Sequence, residues 1–225
     1  MLSLNGACLD TSFRCPVPYG RAAFFCDGIR YFPVISDLQA VNIVISNNVY
    51  FIITGGPGAG KTTLLAELRR RGFRCVDEVA RDIIRQQVEN RGNALPWGDT
   101  TRYAALMHER SVATYRDAGD EGPVFFDRGI PDTLSYLRLI GGDIPAIMDE
   151  DAREMRYNHR VFILPPWKEI YGTDAERKQD WHEAVKTYGQ LQETYGEYAY
   201  QLVEVPKAGV GERADFLLQA TNTHI

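Results

Sequence analysis

The chain has 225 residues, 44% of them hydrophobic and 24% charged, a composition that excludes a disordered or membrane-embedded class and suits one domain of ordinary size with a substantial core. A formal net charge of −5 is the wrong sign for a surface that must displace counterions from a phosphate backbone, so nucleic acid is not an expected partner. No apolar run approaches a bilayer span and the N-terminus lacks the basic-then-apolar pattern of a secretion signal, which makes the cytoplasm the expected location.

Residues 1–48 carry "CPVPYG" and isolated apolar patches without a sustained helical period, and are read as an N-terminal extension. Cys8, Cys15 and Cys26 fall in this segment and Cys75 beyond it; without a CxxC pair or a neighbouring histidine they read as reduced thiols. "VNIVIS", Asn47-Asn48 and "VYFIIT" also fit a β-hairpin, because Asn tolerates the left-handed conformation of tight turns. From residue 49 to about 221, short β-branched or aromatic runs alternate with helical patterns, the signature of βαβ units and a parallel sheet. Strands are predicted over 49–53, 73–76, 124–126, 160–164 and 200–205. Helices are predicted over 61–71, 79–88, 101–116, 131–140, 174–195 and 211–218. The expected fold class is therefore α/β, a three-layer α/β/α domain with a five-stranded parallel sheet.

Where the first strand should hand over to a helix, the sequence reads "GGPGAGKT". The spacing Gly55, four residues, Gly60, Lys61, Thr62 matches the phosphate-binding loop G-x-x-x-x-G-K-[ST], or Walker A motif. Backbone N–H groups of Gly55, Gly58, Ala59, Gly60, Lys61, Thr62 and Thr63 are the candidates for holding phosphate oxygens, helped by the positive end of the following helix. Lys61 would supply a point charge to the β- and γ-phosphates and the Thr62 hydroxyl a ligand to Mg²⁺. The expected cofactors are ATP and Mg²⁺, with GTP open as an alternative.

Ligands of parallel α/β sheets bind beyond the carboxyl ends of the strands. "FRCV" ends in Asp77 and Glu78, and "VFF" ends in Asp127 and Arg128. Asp127 suits a second Mg²⁺ ligand, the alternative being a cap for the helix near Pro131. One of Asp77 and Glu78 suits a general base on an acceptor hydroxyl, with Glu78 preferred and its neighbour facing solvent or pairing with Arg81. Farther on, Thr173 and Glu176 form a capping box that starts a helix at Asp174. Arg177 then lies on the face of Trp181, Val185, Tyr188, Gln192 and Tyr195, read as an inward stripe, and becomes a candidate phosphate contact from a lid. Trp97, in the loop "NRGNALPWGD" with Arg91, is read as an aromatic folded onto the domain, with stacking on an acceptor as the alternative. The four histidines show no ligand spacing.

The stretches "FIITGGPGAGKTTLL", "VDEVARDII", "VFFDRGIPD", "FILPPWKEIYGTDAERKQDW" and "YQLVEVPKAGVGERADFLL" together resemble the AAA-28 family of predicted ATPases, which includes the nicotinamide riboside kinase domain of a bacterial NAD regulator. They also resemble the deoxynucleoside-kinase-like branch of P-loop kinases. The resemblance implies sheet order 2-3-1-4-5, Gly60, Lys61 and Thr62 at the phosphates, Glu78 at an acidic strand end, Asp127 and Arg128 as an Asp-Arg motif, and Arg177 in a helical lid. The expected function is a small-molecule kinase that moves the γ-phosphoryl group of Mg-ATP to a hydroxyl of a nucleoside-like metabolite. Its alternative is an ATP- or GTP-dependent switch or adaptor with slow hydrolysis and no small-molecule acceptor; the guanine-reading N-K-x-D motif is absent from the sequence.

Overall fold

The run "YFIITG" forms a strand, β1 (Tyr50–Gly55), that is buried at every position, as expected of a strand covered on both faces. In the computed structural model the described residues are 45–119, 121–171 and 181–221, together with the backbone of a short antiparallel pair, Phe24–Cys26 with Ile29–Tyr31. Strands β2 (Arg74–Val76), β3 (Val124–Asp127), β4 (Arg160–Leu164) and β5 (Gln201–Glu204) complete a five-stranded sheet in the order β2-β3-β1-β4-β5. All its pairings are parallel; Ile53 lies opposite Asp127 on one side and Phe162 on the other. β3 therefore ends opposite Ile53, where β1 is about to run into the phosphate loop, with Asp127 as its last residue.

The alternating side chains of the central strands feed two cores. Phe51, Ile53, Phe125, Phe162 and Leu164 pack with Leu64, Leu65 and Leu68 of α1 (Lys61–Arg70) and with Ala214, Leu217 and Leu218 of α7 (Val210–Ala220). On the opposite face Ile52, Phe126, Val161 and Ile163 meet α3 (Thr100–Asp117), α4 (Ile130–Leu139), α5 (Ala146–Glu154) and α6 (Trp181–Glu197). Helix α2 (Val79–Glu89) buries Ile83 against Tyr103 and Met107 of α3. The result is the three-layer α/β/α arrangement, with α1 and α7 forming one outer layer.

Three local expectations are corrected. The hairpin does not form: Ile45–Ser46 pairs parallel with Met155–Arg156 and is followed by a turn in which Val49 N donates to Asn47 Oδ1 at 3.1 Å. Both edges of β1 are already taken by β3 and β4, so no antiparallel partner has access to it. Helix α5 was not anticipated; it buries only Met148 and Ala152, too few apolar positions to show a period. In α6 the inward face is Ala184, Leu191, Thr194 and Tyr195, whereas Val185 and Gln192 of the expected stripe are exposed. The helix is rolled so that its small residue meets the loop: a Cβ placed on Gly56 would stand 2.9 Å from the Ala184 carbonyl oxygen.

Candidate functional site

The phosphate loop follows directly from where its glycines fall. Gly58 and Gly60 have φ of 73° and 84°, a left-handed conformation that side-chain-bearing residues adopt at a cost. A Cβ on Gly58 would also lie 2.6 Å from the Tyr171 ring. Gly60 is the N-cap of α1, whose first turn contains no acidic residue, so the positive end of this helix is left for a ligand. Thr62 and Thr63 are exposed in that first turn, and Ala59 is packed into the core below.

Lys61 is 8% exposed and its Nζ donates to the carbonyl oxygens of Gly55 at 2.9 Å and Gly56 at 3.2 Å. Burial, aided by the Arg128 charge, lowers its pKa to about 8, while Asp127, Glu78 and Asp132 work against that shift. The same three carboxylates thus surround the loop lysine.

Of the two acids after β2, only one faces this cluster. Asp77 has a side chain 77% exposed and pairs with Arg69 at 2.5 Å on the surface. Glu78 turns inward as the N-cap residue of α2. It accepts from Arg128 Nε at 2.6 Å and is 3.3 Å from Arg81 Nε. Burial works to raise the Glu78 pKa, but the charges of Arg128 and Lys61 and the hydrogen bond from Arg128 outweigh it and hold the carboxyl at about 2.

Asp127 ends β3, is 9% exposed, and its Oδ1 has no hydrogen-bond partner among the described residues. Burial raises its pKa, the nearby Lys61 charge opposing. It does not cap α4: the N-cap is Gly129, whose N–H donates to Asp132 Oδ2 at 2.8 Å. An orphaned buried carboxylate oxygen and an exposed threonine hydroxyl at the loop are the donor types Mg²⁺ takes, with waters and phosphates supplying the rest. Among the described residues no group of three His, Cys, Asp or Glu side chains is placed to hold a metal.

Arg128 follows with φ of 74°, strain held in place by two ion pairs, to Glu78 and to Asp132 at 3.1 Å. Asp132, not singled out from sequence, proves to be the hub. It also accepts from Thr54 Oγ1 of β1 and from Tyr195 OH of α6, each at 2.5 Å. Its position three residues after Gly129 signals a helix N-terminus, but partners at positions 54 and 195 are invisible to local pattern.

Other expected participants lie elsewhere. Arg177, with the capping pair Thr173 and Glu176 and the expected helix start at Asp174, falls outside the described residues. Trp97 is not folded onto the domain; it is 70% exposed. The loop around it is ordered by backbone bonds of its own, such as Asp99 N to Asn93 O at 2.7 Å, which leave no need for the indole. His108 is buried between α3 and α5, where it bonds Asp151 at 2.7 Å.

A five-stranded parallel sheet whose central strand runs into a glycine-lysine-threonine loop defines a P-loop NTPase of kinase-like fold. The chain belongs to the AAA_28 family of AAA domains, which matches residues 50–213. Solved structures agree on the fold. NadR protein in complex with NR superposes with a TM-score of 0.59 at 18% identity, covering 80% of this chain and 53% of that one. NadR with NAD and AMP-PNP gives 0.56 at 17% identity over 80% and 51%. Deoxyadenosine kinase from M. mycoides, with the products dCMP and dCDP, gives 0.56 at 16% identity over 78% and 100%. The chain therefore spans about half the length of NadR. No curated protein matches the sequence. Among the described residues no helix is long and apolar enough to cross a membrane.

Proposed function

We propose that this protein is a small-molecule kinase that transfers the γ-phosphoryl group of ATP to a hydroxyl of a nucleoside-like metabolite. The observation that carries the reading is the buried, ionised Glu78, held by Arg128 within the same charge cluster as Lys61. A carboxylate buried beside the loop lysine and free of its proton is a group that can accept the proton of an acceptor hydroxyl. The ligands of the fold neighbours, NR in NadR and dCMP and dCDP in deoxyadenosine kinase, support the nucleoside-like class.

In this mechanism the amides from Gly55 to Thr63 and the N-terminus of α1 seat the triphosphate, and Lys61 exchanges its two carbonyl partners for phosphate oxygens. Glu78 accepts the proton of the acceptor hydroxyl as the hydroxyl oxygen bonds to the γ-phosphorus; the bond from the γ-phosphorus to the β,γ-bridging oxygen breaks and ADP leaves with its electron pair. Arg128 holds Glu78 in place and offers its remaining donors to the transferring group. Thr62 and Asp127 would hold Mg²⁺, which when bound neutralises charge on the phosphates. Arg177 would add a further positive charge to the transferred phosphoryl group. In domain terms, residues 49–221 form the catalytic unit and residues 1–48 its extension.

The test is to incubate the full chain with γ-labelled ATP, magnesium and a set of nucleosides, including nicotinamide riboside. Label should appear in a phosphorylated nucleoside, and Lys61→Ala should abolish both nucleotide binding and transfer. Tight ATP binding with no label in any small molecule would replace the kinase by a nucleotide-dependent switch.

A further inference from the structure

Helix α7 buries one stripe against α1, and Arg213 sits on that stripe beside Ala214 and Leu217. It is 5% exposed, and among the described residues its Nε and Nη1 have no hydrogen-bond partner. No carboxylate among the described residues pairs with it, and burial lowers its pKa. The guanidinium carbon lies 5.7 Å from the centre of the Trp167 ring.

Arg71, on the same helix–helix contact, shows what a structural arginine looks like here. It donates to Glu67 at 2.8 Å, to Asp215 at 2.5 Å and to the Gly211 carbonyl at 3.1 Å. Those bonds fasten α7 to α1 and fix where Arg213 lies: its Nη1 is 2.9 Å from the point a Cβ on Gly60 would occupy. A buried guanidinium without acceptors is costly, and an apolar side chain of similar length would fill the space without that cost. The missing partner is therefore an anion that arrives at the loop, where the α1 N-terminus already favours negative charge.

We infer that Arg213 is a phosphate ligand of this site, donating Nη1 and Nε to oxygens of a triphosphate chain seated at Gly60, with the Trp167 ring bracing the guanidinium. The inference deepens the kinase reading and rests on its premise that the loop binds a nucleoside triphosphate. A rigid planar guanidinium with free donors on two of its edges suits the several oxygens of a phosphate chain better than a single ammonium would. The sequence carried a signal: an arginine at a core position of an amphipathic helix, spaced i, i+4 from Leu217.

The full chain, Arg213→Met and Arg213→Lys should be titrated by calorimetry with Mg-ATP and, separately, with magnesium tripolyphosphate, which has no base or sugar. Arg213→Met should weaken both ligands by about tenfold or more, the effect of losing a charge-assisted hydrogen bond, and Arg213→Lys should fall between. The melting midpoint of ligand-free Arg213→Met should equal or exceed that of the parent. Unchanged affinity in Arg213→Met overturns the assignment, as does a loss for ATP alone, which would place Arg213 on the base. A lowered midpoint of the free protein with unaltered affinity makes it structural. Should Arg213→Met not fold, full tripolyphosphate affinity in Arg213→Lys overturns the two-donor assignment. A parent protein that binds neither ligand overturns the triphosphate reading as well.

Discussion

At the scale of single residues, the site is a set of charges that hold one another in unusual states. Glu78 is ionised because Arg128 and Lys61 outweigh its burial. Removing the first of these, as Arg128→Met, should let burial prevail and move the carboxyl titration above its ordinary value of 4.5, followed by carboxyl NMR. The folded carboxyl lies near 2 against an ordinary 4.5. Its contribution to stability is therefore complete above about pH 4.5 and lost as pH falls toward 2. Glu78→Gln should flatten that part of the pH–stability curve. The same variant should bind ATP like the parent yet lose phosphoryl transfer by about 100-fold or more, the size of a general-base contribution; single-turnover rates beside binding titrations would check it. How far the sequence disclosed these roles differs residue by residue. Lys61 was named by spacing. The adjacent pair Asp77 and Glu78 stayed open until the fold turned one to Arg69 at the surface and the other to Arg128, because facing at a strand end depends on the next helix and not on local composition.

At the scale of elements, Asp132 joins three of them: Thr54 of β1, Gly129 at the head of α4 and Tyr195 of α6. Asp132→Asn would leave Arg128 short of one anion and, by turning one accepting oxygen into a donor, strand one hydroxyl, Thr54 or Tyr195, with an expected loss of about 3 kcal/mol. Tyr195→Phe removes one hydrogen bond and leaves three, for about 1 kcal/mol. Chemical denaturation of the two variants would test that ranking; equal losses would mean the hub acts through Tyr195 alone. Elements long enough to show a period, such as α1, α3 and the central strands, were legible within a residue or two. Those that were not share a physical reason. Helix α5 has two buried anchors, the roll of α6 is set by the close approach of Ala184 to Gly56, and the pairing of Ile45–Ser46 is decided by residues more than a hundred positions away.

At the scale of the whole molecule, α1 and β1 are fixed from both sides, by α7 through Arg71 and by the sheet through β3 and β4. Mg-ATP at 100 times its dissociation constant should stabilise the protein by about 2.7 kcal/mol. In hydrogen exchange the amides of β1, β3 and β4 should be the slowest and those of β2 and β5 faster, since the outer strands are partly exposed. A uniform exchange rate across the sheet would show instead that it opens as one unit.

The two margins of the sheet are only three and four residues long, and each carries a charged side chain to solvent, Arg74 on one and Glu204 on the other. A short charged rim is a poor template for a neighbouring chain. The ribbon that bears the glycine turn is thus insulated at its centre, so crowding or self-association would have to unravel the flanks before it could distort the phosphate cradle.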